Sequence, residues 1–310
     1  MAEEKKYYVI IIGAGPGGMT TALYASRANL KVVMLDRGAY GGNLNNTASI
    51  VNYSGFKDVQ GPELAEKMYQ GATQFGAEYA YGTVTKVEVD GANKKVTTDM
   101  GETYVAPVVV IGTGSDHRKL GVPGEEEFGG RGVSYCAVCD GAFFKGKHLV
   151  VVGGGDSAVE EGLYLTQLAS KVTVLVRRGE LRAQPMLQDE AKKNPKMEFV
   201  FNTSVTEIMG DDVKVTGVKT HNNETGEDGE LAADGVFIYV GNIPLTKPFA
   251  DLGILDDQGW VKTDTVMQTS IPGIYAIGDV RETPLRQIAT AVGDGAIAGQ
   301  QVFQYIKSQE

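Results

Sequence analysis

Cys136-Ala137-Val138-Cys139-Asp140 holds the only two cysteines in the 310-residue chain. Two sulfurs at this spacing can close a disulfide by a small local movement. They can also exchange electrons with a second disulfide through a mixed-disulfide intermediate. The carboxylate of Asp140 stands beside the second sulfur, where it can move a proton to or from a departing thiolate. Half of a zinc site is the competing reading of a C-x-x-C. Such a site normally needs four ligands, and the only histidines, His117, His148 and His221, have no metal-site spacing. Neither chemistry is settled by the pair alone.

The elements that must position the pair are announced by an internal repeat. Residues 8–37 and 149–178 align without gaps at an offset of 140, so that Gly13 matches Gly153, Gly15 matches Gly155 and Gly18 matches Ala158. Each copy reads as strand, glycine turn, helix, strand. The first glycine permits a tight turn, the second lets a pyrophosphate reach the backbone, and the third, or alanine, lets the helix pack close to the strand. The helix N-terminus then offers free N–H groups and a positive dipole end to the phosphates. One such motif is a weak signal; two in the same context predict two dinucleotide sites. The ends of the second strands differ. Asp36, followed by Arg37, stands where a carboxylate accepts hydrogen bonds from a ribose with a free 2′-OH. In the second copy that place is taken by Val176, followed by Arg177, Arg178 and Arg182. A guanidinium cluster there suits a 2′-phosphate. The first site therefore fits FAD, and the second, with Gly153, Gly155, Asp156, Ser157 and Ala158 in its turn, fits NADPH. The dithiol precedes the second turn by 14 residues, from Cys139 to Gly153, which puts it in the NADPH lobe, on a loop entering that lobe's first strand. Nicotinamide, flavin and dithiol together make a route for electrons.

Length predicts about two domains at roughly 150 residues each, and alternating strands and helices predict an α/β class. A net charge of −10 argues against a general nucleic-acid or anionic-membrane binder. No apolar run approaches the roughly 20 residues of a membrane span. One C-x-x-C and no other cysteine fits a reducing compartment, so a cytoplasmic location is expected.

The chain resembles the low-molecular-weight thioredoxin reductases of bacterial type over essentially its full length. Gly13-Ala14-Gly15-Pro16-Gly17-Gly18 resembles the family's FAD fingerprint. Gly41-Gly42-Asn43-Leu44 resembles its flavin-side loop, with Asn43 where Gln is usual, and Asn52 lies in the flavin-lining stretch that follows. Ile111-Gly112-Thr113-Gly114 is similar to the crossing out of the FAD domain. The redox motif departs only at Val138, and the phosphate-site motif only at Val176. Gly278-Asp279 and Arg286-Gln287-Ile288 resemble the C-terminal flavin motif, with a helix expected over 287–305. The resemblance implies two Rossmann-like dinucleotide-binding domains, a discontinuous FAD domain, residues 1–116 and 245–310, and an NADPH domain, 117–244, inserted within it. It also implies a homodimer and a swivel between domains, with Gly114 and Gly241 near the hinges, Gly114 also on the FAD side and Gly241 on the NADPH side. By the same resemblance, electrons pass from NADPH through FAD to the Cys136–Cys139 disulfide, Asp140 supplies a proton, and the dithiol reduces thioredoxin or a thioredoxin-like protein. Cys139 is the sulfur expected nearer the flavin, although the two roles can be exchanged.

Four other activities compete with this one. A ferredoxin–NADP reductase of similar fold has no use for the dithiol. A dithiol oxidase needs no NADPH site, and a peroxide-reducing flavoprotein would carry a further N-terminal dithiol domain. A nucleotide-responsive redox sensor would bind both nucleotides without turnover.

Overall fold

The computed structural model describes residues 4–47, 50 and 52–309. Its labelled elements, in chain order, are β1 (Val9–Ile12), α1 (Pro16–Arg27), β2 (Val32–Asp36), α2 (Gly61–Thr73), β3 (Glu78–Tyr81), β4 (Val108–Ile111), β5 (Val133–Ser134), α3 (Ala137–Asp140), β6 (His148–Val152), α4 (Asp156–Leu168), β7 (Lys171–Leu175), α5 (Pro185–Lys193), β8 (Met197–Val200), β9 (Gly235–Ile238), β10 (Ile274–Ala276) and α6 (Ile288–Lys307). The chain divides into two compact units, one made of residues 1–116 and 243–310, the other of residues 117–242.

Each unit is built on a five-stranded, all-parallel sheet. The orders are β10-β4-β1-β2-β3 in the first and β5-β9-β6-β7-β8 in the second. Four neighbouring strands therefore follow one plan in both: last, first, second, third. The repeat extends to single hydrogen bonds. Gly13 N–H donates to Leu35 O at 2.8 Å, and Gly153 N–H donates to Leu175 O at 3.1 Å. Each unit also carries a three-stranded antiparallel meander between its third and last repeated strands, spanning residues 84–106 in the first and 203–232 in the second.

The central strands are apolar at every position because both faces are covered. In β1, Val9 and Ile11 enter one core while Ile10 and Ile12 enter the core on the other face. In β6, Leu149 and Val151 enter one core while Val150 and Val152 enter the other. In the first unit α1 lies against α6 at a distance only small residues allow. A side chain at Gly295 would meet the Gly17 carbonyl oxygen at 2.4 Å, and Thr21 Oγ1 donates to the Gly295 carbonyl at 3.2 Å.

The dithiol is not on a loop. The pair sits on α3, a short helix whose N-cap is Cys136 and which contains Cys139. Nor is β6 the first strand of that unit, because β5 precedes α3 and adds an edge strand beside β9. The sequence signal for β5 is only two residues long and lacks periodicity. The C-terminal helix covers 288–307, starting one residue later and ending two residues beyond the expected 287–305. Gln287 is its N-cap, in a reciprocal capping box with Thr290.

Candidate functional site

In the first unit the fingerprint glycines divide into two kinds. Gly13 turns the chain at φ +107°, and a Cβ there would lie 2.2 Å from Gly112 O; at Gly18 it would lie 1.9 Å from Gly13 O. These two are fixed by the fold. Gly15 has an ordinary φ of −77° and open space where its Cβ would be. The fold does not require glycine there, whereas a phosphate approaching the backbone does. Pro16 opens α1, whose N-terminus has no side-chain cap, so its N–H groups remain available to an anion. The second turn repeats the division. Gly153 at φ +151° would clash with Tyr239 O at 2.4 Å, while Gly155 faces open space. Ala158 is fully buried, and α4 also lacks a side-chain cap.

Asp36 ends β2, and its carboxylate accepts Ala14 N–H at 2.7 Å and Gly38 N–H at 3.0 Å. It thus stands at the turn, as a ribose acceptor must. Arg37 is exposed and paired with Asp116 at 3.7 Å, away from that carboxylate's bonds. Gly41 is in the left-handed region and donates its N–H to Ala14 O at 2.8 Å, which draws Gly42 within reach of Gly15. Asn43 is exposed. Asn52 Nδ2 donates to Gln287 Oε1 at 3.0 Å, joining two of the expected flavin residues that lie 235 apart in sequence.

Gly278 and Asp279 form a tight turn after β10. Arg286 lies 3.8 Å from the Trp260 ring centroid and donates from Nε to the Asp279 carbonyl at 3.3 Å. Burial lowers the Arg286 guanidinium's proton affinity. The Asp279 carboxyl is pushed up to about 6 by burial, opposed by Arg286 and reinforced by Asp294. Its carboxylate accepts no hydrogen bond from the described residues, so a hydroxyl donor, such as a ribityl chain carries, fits this place. Ile288 packs against the core at the start of α6. Sequence reading missed Asp294. Its Oδ2 accepts Gly278 N–H at 2.9 Å and pairs with Arg281 Nη1 at 3.0 Å, holding the turn that presents Asp279. A lone carboxylate within the first two turns of the C-terminal helix was the available signal.

In the second unit, Arg177, Arg178 and Arg182 are exposed, and no carboxylate among the described residues forms an ion pair with them. Arg182 N–H donates to Gly154 O at 2.7 Å, so the arginine segment is fastened to the glycine turn. Asp156 accepts Gln184 N–H at 2.7 Å and so clamps the same segment. Ser157 is exposed at the start of α4. At the two crossings, Gly114 is at φ +72° and Gly241 at φ +118°. These are backbone positions that favour glycine.

Cys136 and Cys139 form a disulfide with Cα atoms 5.3 Å apart. Cys136 Sγ accepts Cys139 N–H at 3.2 Å. Burial raises the proton affinity of Asp140, and the Ser134 hydroxyl, 2.6 Å from Asp140 Oδ2, offsets part of that rise. Asp140 follows Cys139 in the chain, and a raised proton affinity suits a carboxyl to proton transfer with a leaving thiolate. Ser134 was not expected from sequence. No group of His, Cys, Asp and Glu suited to a metal is present among the described residues, and no helix there is long and apolar enough to cross a membrane.

Known proteins resemble this chain closely. It is 58% identical over 306 residues to the thioredoxin reductase of Listeria monocytogenes, covering 99% of this chain and 96% of that protein. It is 55% identical over 307 residues to the thioredoxin reductase of Bacillus subtilis, covering 99% and 97%. The solved thioredoxin reductase of Streptococcus pyogenes matches with a TM-score of 0.93 at 55% identity, covering 99% of this chain and all of that one. The sequence profile of the pyridine nucleotide-disulphide oxidoreductases matches residues 7–295. The chain belongs to that family.

Proposed function

We propose that the chain is an NADPH-dependent thioredoxin-disulfide reductase. The observation that carries this reading is a disulfide built into the same compact unit as the second glycine turn and its unpaired arginines. The chemistry supplied by the two bound nucleotides is hydride transfer from NADPH to FAD, followed by two-electron reduction of a disulfide.

The residues divide the labour by unit. Gly13, Gly15, Pro16 and Gly18 with α1 receive the FAD pyrophosphate, Asp36 the adenosine ribose, and Asp279 a ribityl hydroxyl. Gly41, Gly42, Asn43, Asn52, Arg286, Gln287 and Ile288 lie on the flavin side, and Arg37 borders the ribose. Gly153, Gly155, Asp156, Ser157 and Ala158 form the second turn, and Arg177, Arg178 and Arg182 read the 2′-phosphate of NADPH. Residues 1–116 and 245–310 serve as the FAD domain, and residues 117–244 as the NADPH domain. Gly114 and Gly241 give the crossings their sharp backbone turns.

Two electrons break the Cys136–Cys139 bond. The Asp140 carboxyl holds a proton for the sulfur that leaves. Cys136 then attacks a disulfide of thioredoxin or a thioredoxin-like protein, forming a mixed disulfide and releasing one partner thiolate. Cys139 attacks Cys136, the partner leaves as a dithiol, and the enzyme disulfide re-forms. A homodimer in the cytoplasm completes the proposal.

An anaerobic NADPH titration followed by absorbance tests it. The wild-type protein is expected to take up four electrons, two at the flavin and two at the disulfide. Cys139→Ser is expected to take up two, retain both nucleotides and reduce no thioredoxin. Thioredoxin reduction by that variant would overturn the dithiol mechanism.

A further inference from the structure

Beneath the disulfide lies a second carboxyl group that this mechanism does not use. Glu161 projects from α4, the helix that begins at the NADPH glycine turn. Its Oε2 accepts Ala137 N–H at 3.0 Å and the Tyr239 hydroxyl at 3.1 Å. The Tyr239 oxygen itself accepts Ala137 N–H at 2.7 Å. Ala137 follows Cys136 directly in the chain, so this carboxylate occupies the amide adjoining that cysteine.

Backbone N–H groups at the start of a helical turn stabilise a thiolate on the residue before them. Of these, Cys139 N–H reaches Cys136 Sγ at 3.2 Å, whereas Ala137 N–H is taken by an oxygen of Glu161, whose charge opposes a second negative charge nearby. We propose that Glu161, braced by Tyr239, is a positioning residue that places a negative charge on the Ala137 amide beside Cys136 and raises the pH at which its thiol ionises. The consequence for the reaction follows from charge alone. Reduction breaks the S–S bond with two electrons and places negative charge on sulfur. A fixed carboxylate beside Cys136 disfavours that state, and so makes the dithiol a stronger reductant.

Few other groups compete. The Glu161 carboxyl faces Tyr239 from the exit of β9, the Ala137 amide of α3, and Glu160 as a like charge on α4. Burial raises the proton affinity of Glu161, and its hydrogen bonds oppose that rise. Asp140 is the further carboxyl beside the sulfur pair, held by Ser134 from β5. Tyr164 of α4 lies against Gly141, and the turn Gly141–Phe144 brings no titratable side chain.

The inference rests on the dithiol being the working redox centre, but its test needs neither nucleotide. The whole protein is reduced with dithiothreitol, freed of reductant under nitrogen, and alkylated with iodoacetamide across a pH series. Mass mapping assigns the label to Cys136. Glu161→Gln keeps an acceptor for the Ala137 amide and removes the charge. Its Cys136 profile is expected about one pH unit lower, which is roughly tenfold faster alkylation on the acid limb. Equilibration of its disulfide with dithiothreitol should shift by up to about tenfold toward the reduced form, or about 30 mV. Tyr239→Phe makes Glu161 take a proton more readily and should shift the profile the same way, by less. A role confined to packing would move neither quantity. Unchanged or upward-shifted profiles overturn the proposal, and if Glu161→Gln does not fold, Tyr239→Phe alone decides. Loss of NADPH turnover with the alkylation shift intact would instead count against the proposed function.

Discussion

Asp279 lies in the turn after a buried strand, its carboxylate accepts no hydrogen bond from the described residues, and its burial has a pH signature. An unfolded Asp ionises near 3.9, while this one ionises at about 6. Between those values the folded state binds more protons than the unfolded one, so stability falls as pH rises through that window. The FAD-free protein should therefore lose at most about 3 kcal/mol of stability between pH 4 and pH 6 from this group. Asp279→Asn should abolish that slope while weakening FAD retention. Thermal unfolding of the FAD-free protein across pH measures the first, and flavin content after gel filtration the second. Arg177 and Arg178 lie at the other nucleotide site. Replacing both with alanine should raise the KM for NADPH by at least about tenfold, since a hydrogen bond to a charged group contributes about 1.5–3 kcal/mol. NADH should be affected little, and equal losses would show that the arginines do not read the 2′-phosphate. The arginines were legible because they follow a glycine fingerprint at fixed spacing. Asp294, Glu161 and Tyr239 were not, because their partners lie 16, 24 and 102 residues away. A polar residue reveals such a partner only once the chain is folded.

The strand, turn and helix of each repeat were legible for a different reason. Their glycines answer to local sterics, and local sterics are written in local sequence. The structure makes a sharper distinction than the motif does. At Gly13 a side chain would collide with backbone in a left-handed conformation, whereas at Gly15 it would point into open space. Gly13→Ala should therefore cost more than about 1 kcal/mol of stability. Gly15→Ala should leave the melting temperature of the FAD-free protein nearly unchanged and still lower FAD affinity. Calorimetry beside flavin titration separates the two outcomes; a comparable loss of stability in both variants would refute the assignment of Gly15 to ligand approach. The short helix under Cys139 illustrates the limit of pattern reading. Four residues cannot display a helical period, so the stretch looks like a loop from sequence alone.

The whole molecule is one repeated plan interrupted by a second copy of itself. The insertion begins and ends at nearly one point. Arg118 N–H donates to Gly241 O at 2.8 Å, and His117 Nδ1 lies 2.8 Å from Asn242 Oδ1. Just outside, Leu245 N–H donates to Gly114 O at 3.1 Å, and the Thr113 hydroxyl donates to Leu245 O at 2.8 Å. Residues 117–242 expressed alone should therefore fold cooperatively, close the Cys136–Cys139 disulfide and retain NADPH with little loss of affinity. Circular dichroism, thiol counting and nucleotide titration check this, and a fragment without a cooperative transition would refute it. The meeting of the chain at these crossings also has a mechanical consequence. Tension applied between Glu4 and Gln309 bears on the first unit alone, because the entry and exit of the second are pinned together and carry no separation. A machine that threads the protein from either end must dismantle the flavin-binding framework first. The dithiol is thus the last part of the molecule to feel the pull.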